Sequence, residues 1–309
     1  MKVLIVGAGA VGGFLAARLL DGGDDVAVLV RPARADGLRR DGLRIREGSA
    51  TTTYRPRVRT ASELTPEFDL IVLAVKSDAI AGAIDDVAPA VGASTAVVPF
   101  LNGMRHVEPL VSRFGSAVLG GVLRVATDLE HDGAILVIAP LFEVEVGELT
   151  GPSDRRVADI GARFRAAGAQ VTVSADIVGA MWTKWVFIAS IGAVTSLMRA
   201  SVGEIVAVPG GAAFSRSILN EAAATAAAAG HPIPSSALAD TEHVLTTEGS
   251  PTTSSLSRDL MAGCHTEVEP VLGDLVASAD ATGTPTPLLA LATLALRIHN
   301  RRLETANGT

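Results

Sequence analysis

The chain has 309 residues, 48% of them hydrophobic and 19% charged. That balance belongs to a folded globular protein and not to a disordered one, and the length suits about two domains. Its 33 acidic residues outnumber its 26 basic ones, for a formal net charge of −7, whereas a protein that grips a nucleic-acid backbone carries a basic surplus; no nucleic-acid partner is expected. The one cysteine, Cys264, excludes an internal disulfide and favours a reducing compartment. Six scattered histidines show no metal-ligand spacing, so no metal is expected.

Residues 1–174 alternate short apolar runs with helical patterns. Val3–Val6, Val26–Val30, Asp69–Val75 and Thr95–Leu101 read as strands buried on both faces, with helices predicted over Val11–Leu20, Asp78–Val87 and Arg105–Phe114. That order implies βαβ units and a doubly wound parallel sheet. Val118–Ala126, Ala134–Ala139 and Phe142–Leu149 read as antiparallel strands extending it, with a hairpin turn at Gly133. The fold class is therefore α/β, a Rossmann-type sheet followed by an all-helical domain over 175–309. There, helices are predicted over Ile177–Met198, Ala212–Ala229, Ser236–Glu248, Glu267–Ala281 and Leu288–Arg301, with a frayed tail from Glu304. No membrane partner is expected. Gly7, Gly9, Gly12 and Gly13 interrupt the apolar N-terminus where a signal peptide would need a continuous run. The uncharged stretch Trp185–Met198 covers 14 residues, short of the about 20 that a span needs. The protein reads as soluble and cytoplasmic.

Gly7-Ala8-Gly9-Ala10-Val11-Gly12 fits G-x-G-x-x-G, directly after a strand and at the opening of a helix. In that context Gly7 permits the tight turn, Gly9 the close approach of a pyrophosphate and Gly12 the packing of helix on strand. The amides at the helix start then meet the phosphates. An NAD-binding unit places an acid at the tip of its second strand to bond the ribose hydroxyl. Here that strand runs into Arg31-Pro32-Ala33-Arg34, and a guanidinium there suits the 2′-phosphate of NADPH. The bland alternative is a solvated arginine pair.

Lys184 is the one charge in the 22 residues between Asp176 and Arg199. A lysine in so apolar a helix either snorkels out along its stem or faces a cleft, where desolvation suits it to general-acid work. Asn102-Gly103 reads as a turn or as a polar anchor, Ser254 or Ser255 as a helix N-cap or a substrate contact, Lys76 as a surface lysine or a cofactor contact, and Glu267 as a first-turn carboxylate or a site acid. Cys264 beside His265 has no base and orienter around it to make it a nucleophile.

In order along the chain, Gly7–Gly12 with Arg31, Val75-Lys76, Asn102-Gly103-Met104, Trp182-x-Lys184, and Ser254-Ser255-x-x-x-Asp259 leading to His265-Thr266-Glu267 resemble the ketopantoate reductase (2-dehydropantoate 2-reductase) family. The resemblance implies an NADP-binding Rossmann-like domain over 1–174 and a helical substrate or dimerisation domain over 175–309, with the substrate between them. It implies NADPH-dependent reduction of a 2-oxo acid, ketopantoate leading. Lys184 would be the general acid and Glu267 the acid that bonds and orients substrate. Asn102 would lie near nicotinamide and substrate, Ser255 on the substrate carboxylate, Lys76 on the cofactor and Arg31 on its 2′-phosphate. It leaves a homodimer open. Two rivals remain: a hydroxy-acid dehydrogenase of the 6-phosphogluconate type, which expects a longer helical domain, and a non-catalytic NADPH-binding protein, which would not need Lys184 and Glu267.

One departure stands out. The ketopantoate-specific members carry asparagines four and eight residues after the lysine, on its face of the helix. Here those positions are Ile188 and Gly192. The wall should be more apolar, and wider at Gly192, and Ser190, Thr195 and Ser196 are rotated away from the Lys184 row. A site built to bond a hydroxyl loses discrimination when its donors go, so a 2-oxo acid with an apolar tail should do comparatively well. Ile188→Asn should raise kcat/KM for ketopantoate about tenfold, as a regained hydrogen bond allows, and leave an apolar-tailed analogue unchanged. Steady-state NADPH oxidation on both substrates checks this, and equal gains on both would refute it.

Overall fold

A computed structural model describes residues 1–152 and 154–307. The chain falls into two compact units, Met1–Leu101 with His106–Ala180, and Asn102–Arg105 with Met181–Thr309.

The first unit opens with strand β1 (Lys2–Val6), helix α1 (Ala10–Asp21), β2 (Asp25–Leu29) and α2 (Pro32–Asp41). A hairpin of β3 (Leu43–Glu47) and β4 (Ala50–Tyr54) follows, then β5 (Arg57–Arg59), β6 (Leu70–Leu73), α3 (Ile80–Val87), β7 (Ala96–Pro99) and α4 (Val107–Phe114). Strands β5-β2-β1-β6-β7 lie side by side in that order, all parallel. Chain order reverses between β1 and β6, the switch point at which such sheets bind ligands. Continuous apolar strands follow from the two-sided burial. Val3 and Ile5 face one core with Phe14, Leu15 and Leu19 of α1, while Leu4 and Val6 face another with Ile84 and Val87 of α3 and Leu110 of α4.

The strands after α4 correct the sequence-based expectation. β8 (Leu119–Leu129) and β9 (Ile135–Glu148) pair antiparallel around a turn at Gly133, which has φ +79°. They do not extend the first sheet, which the chain meets just ahead of β8 at an isolated Val97–Val118 bridge. They join a second sheet in which β9 pairs in parallel with β3 at one end and, after α5 (Arg155–Ala166), with β10 (Gln170–Val173) at the other. The break expected between Ala139 and Phe142 is a pair of register shifts inside one strand, where Val125 faces Phe142 and Ala126 faces Ala139. Bulged residues re-aim a strand without ending it.

The second unit has no strand among its described residues. α6 (Ile177–Met198) enters from the first unit and is followed by α7 (Val202–Val206), α8 (Gly211–Ala228), α9 (Ser235–Thr246) and α10 (Ser255–Met261). A π turn over Glu269–Gly273 leads into α11 (Asp274–Thr282), and α12 (Pro287–Asn307) closes the chain. The helix predicted from Glu267 thus starts later and starts wide, and the tail expected to fray from Glu304 is helical through Asn307. Side chains satisfy several helix starts, as orphan N–H groups require. The Ser201–Glu204 capping box opens α7, Ser254 caps α10, and the Glu221 carboxylate of α8 accepts from the amides of Leu288 and Leu289 at the start of α12. α6 is long and apolar enough to cross a membrane, yet most of it is buried within the fold, as in a core helix.

Candidate active site

The loop between β1 and α1 is built by what its glycines lack. Gly7 has φ +92°, and a Cβ there would lie 3.0 Å from the Ala74 carbonyl oxygen, so the loops after β1 and β6 touch at the switch point. A Cβ at Gly12 would overlap the Gly7 carbonyl oxygen, so α1 leaves the loop at backbone contact. Gly9, the N-cap of α1, makes no side-chain cap bond and has nothing within 4 Å of where a Cβ would be. The space a side chain would fill is open beside the first amides of α1, which have no helical partner. Gly7, Ala8, Gly9, Ala10, Val11 and Gly12 therefore fit a dinucleotide pyrophosphate.

Arg31 caps α2 just past the end of β2, and its side chain and that of Arg34 are exposed. Neither forms an ion pair among the described residues, whereas Arg39 and Arg40 on the same helix do. Lys76 follows β6 and is exposed on the short turn ahead of α3.

Asn102, Lys184, Ser255 and Glu267 all belong to the helical unit. Asn102 follows β7 in sequence, but its segment is held by the other unit. Gly103 has φ +74° and packs so closely on Pro270 that a Cβ would overlap the Pro270 carbonyl oxygen, and Arg105 pairs with Asp274 at 3.3 Å. One residue on, the Val271 carbonyl accepts from the buried Trp185 Nε1 at 2.9 Å. Trp185 adjoins Lys184, which is half-buried on α6. Glu267, also half-buried, enters this π turn from the loop before it. One turn of backbone thus fixes the neighbours of Asn102, Lys184 and Glu267. Ser255 is exposed on the first turn of α10, and the capping role falls to buried Ser254, whose Oγ accepts from Ser257 N at 3.0 Å and bonds Thr195 Oγ1 at 2.8 Å.

The lysine face differs from the expected one at its far end. The sequence implies extra room at Gly192, but a Cβ there would meet Leu256 Cδ1 at 3.0 Å and Val271 Cγ1 at 3.8 Å. Leu256, buried on α10, takes the space. Thr195 is buried and committed to Ile191 O and Ser254. Ile188, one turn after Lys184, remains half-buried. Sequence reasoning missed Trp185, Gly103 and Leu256 as shapers of this region. The tryptophan's ring nitrogen needs a buried acceptor, which was a usable signal; nothing in the sequence pairs Leu256 with Gly192.

The family described as Ketopantoate reductase PanE/ApbA matches residues 3–151, and its C-terminal counterpart matches residues 176–300. The chain belongs to the ketopantoate reductase family. An uncharacterized oxidoreductase, YkpB, of Bacillus subtilis is 31% identical over 290 residues, covering 94% of this chain and 95% of that one. A 2-dehydropantoate 2-reductase of Mesorhizobium japonicum is 29% identical over 246 residues, covering 72% and 75%. The crystal structure of 2-dehydropantoate 2-reductase from Methylococcus capsulatus is 27% identical and superposes with a TM-score of 0.85 over 98% of this chain and 97% of that one. The family's members are oxidoreductases that act on a C=O/CH–OH pair, and its chemistry is the reduction of a 2-oxo acid.

In this member of the ketopantoate reductase family the π turn is also tied electrostatically. Arg297 of α12 donates to both oxygens of Glu269, at 2.7 and 2.6 Å, and holds its carboxyl below the ordinary glutamate value. Burial pushes Asp274 the other way, against the opposing pull of Arg105. A carboxyl with a lowered folded-state pKa stabilises the fold above its unfolded value of about 4.3 and loses that contribution as pH falls through the folded value. Both partners of the Arg297–Glu269 pair are half exposed, so it is worth at most about 1 kcal/mol. Arg297→Ala should lower stability at pH 7 and progressively less below about pH 4. Thermal unfolding across that range checks it, and a gap that does not narrow as pH falls would contradict it.

Proposed function

We propose that this protein reduces the carbonyl of a 2-oxo acid using NADPH, with Lys184 as general acid. The observation that carries the reading is the half-buried placement of the one charge on α6, beside the tryptophan that anchors α6 to the π turn into which Glu267 leads. Gly7 to Gly12 hold the pyrophosphate, Arg31 takes the 2′-phosphate, and Lys76 and Asn102 bind on the cofactor side. NADPH, when bound, supplies the hydride. Lys184 Nζ gives its proton to the substrate carbonyl oxygen, and its positive charge offsets the negative charge that develops there. Asn102 donates a neutral hydrogen bond, Ser255 bonds the substrate carboxylate, and Glu267 accepts from the substrate and orients it. The free, exposed thiol of Cys264 suits a reducing cytoplasm, and a homodimer remains part of the reading.

Ketopantoate is the leading substrate, from the family. A second reading, a 2-oxo acid with a more apolar tail, is favoured by Ile188 and by Leu256, which fills the space at Gly192. The closed packing there makes Ile188 the position that separates the two readings.

Arg31→Ala should weaken NADPH binding about 10–150-fold, the loss of one charge-assisted pair, and leave NADH binding nearly unchanged. Fluorescence titration of both cofactors decides, and equal losses would remove Arg31 from the 2′-phosphate. Lys184→Ala should lower kcat by about 10²–10⁴-fold in a protein that keeps its far-UV circular dichroism and its thermal midpoint. A folded variant that retains most of its kcat would return Lys184 to a snorkelling surface role.

A further inference from the structure

The loop ahead of the π turn is gripped by one buried side chain of α12. Asn300 Oδ1 accepts from the Thr266 amide at 2.9 Å and from Thr266 Oγ1 at 3.1 Å, while Asn300 Nδ2 donates to the Thr266 carbonyl at 2.9 Å. Thr266 is 2% exposed and Asn300 7%. The carboxamide thus pairs with both backbone groups of Thr266, as a neighbouring strand would, in a loop that has no strand beside it. Buried backbone groups need such partners.

Position 300 does not otherwise ask for a polar residue. Leu289, Ala292, Thr293 and Leu296 mark the buried stripe of α12, and Asn300 continues it. Helix packing alone would be served by an apolar side chain. The carboxamide is there for Thr266, and the Thr266 carbonyl belongs to the planar peptide that begins Glu267. Fixing that plane fixes where the Glu267 nitrogen and Cα stand, and so narrows the directions in which its side chain can leave the backbone. α12 reaches the same segment three times more, through His299 Nε2 with Cys264 O at 2.9 Å, through Arg297 with Glu269, and through Glu304 with His265 at 3.8 Å. Those contacts are exposed to water, whereas the Asn300 contact is buried and keeps its full strength.

We infer that Asn300 is a positioning residue for Glu267, acting through the Thr266–Glu267 peptide. The inference rests on the proposed role of Glu267 in orienting the substrate. The test compares the full-length parent with Asn300→Ala, Glu267→Gln and the double variant. The substrate is whichever of ketopantoate, 2-oxoisovalerate and 2-oxoisocaproate the parent reduces fastest. Asn300→Ala should lower kcat about tenfold while the NADPH dissociation constant stays within about twofold, and in the Glu267→Gln background the same substitution should change kcat less than about twofold, the non-additivity of two residues that act as one unit. Full additivity, or an unchanged kcat in Asn300→Ala, would overturn the inference while leaving Glu267 in its role. A Glu267→Gln variant with parental kcat would overturn the reading of Glu267 and the inference with it. If Asn300→Ala does not fold, Thr266→Val removes only the hydroxyl bond to Oδ1 and enters the same cycle, with a smaller loss that must also vanish when Glu267 is Gln.

Discussion

The backbone of Pro270 and Val271 is the fixed point of the helical unit. A π turn closes one residue later than an α turn and so widens the helix and re-aims its carbonyls. The Val271 carbonyl takes the ring N–H of Trp185, and the Pro270 carbonyl lies where a side chain at position 103 would be. Neither contact tolerates much slack. An indole N–H buried without an acceptor is penalised, and a Cβ at Gly103 would force the Asn102 segment away from the turn. Because Trp185 adjoins Lys184, Gly103 adjoins Asn102, and Glu267 leads into the same turn, the spacing of all three follows from one piece of main chain. This also explains why Asn102–Arg105, which continues a strand of the first unit, packs with the second.

The first unit solves a similar problem by the same means. Its loop brings three backbone stretches into contact, those of Gly7, Gly12 and Ala74, at positions where side chains would keep them apart. What remains is a bare helix start facing open space at Gly9, with Arg31 and Arg34, which form no ion pair among the described residues, beyond the neighbouring strand. The positive end of α1 and those guanidiniums together favour an anionic ligand. In both units glycines decide how closely the backbone stretches around the candidate residues can stand.

The legibility of these features in the sequence was uneven for physical reasons. The glycine loop between β1 and α1 shows itself because its glycines sit at fixed local spacing between a strand and a helix. Lys184 shows itself because a single charge in an apolar helix is conspicuous at any scale. β3 and β4 were not legible: Leu43-Arg44-Ile45-Arg46-Glu47 alternates like a strand but reads as polar, and Ala50–Tyr54 is nearly all exposed and is held by its partner. β9 looked like two strands because its bulges place Ala139, Pro140 and Leu141 where a turn could be. The π turn looked like ordinary helix because its composition is ordinary, and only hydrogen-bond geometry separates the two.

The sequence by itself determined the order of elements, the chemistry available to each loop and the residues whose charge or lack of a side chain sets them apart, because these depend on neighbours within a few positions along the chain. It also singled out positions 188 and 192, Ile and Gly where the resemblance expects asparagines. Whether Gly192 leaves room or not was decided by Leu256, 64 residues away in sequence, which packs against it. Likewise the second sheet, the capture of Asn102–Arg105 by the helical unit and the grip of Asn300 on Thr266 all arise between residues far apart in sequence. Such contacts form only once the chain has closed its loops and the volume left by one side chain has been claimed by another, and a linear pattern carries no record of which side chain that will be.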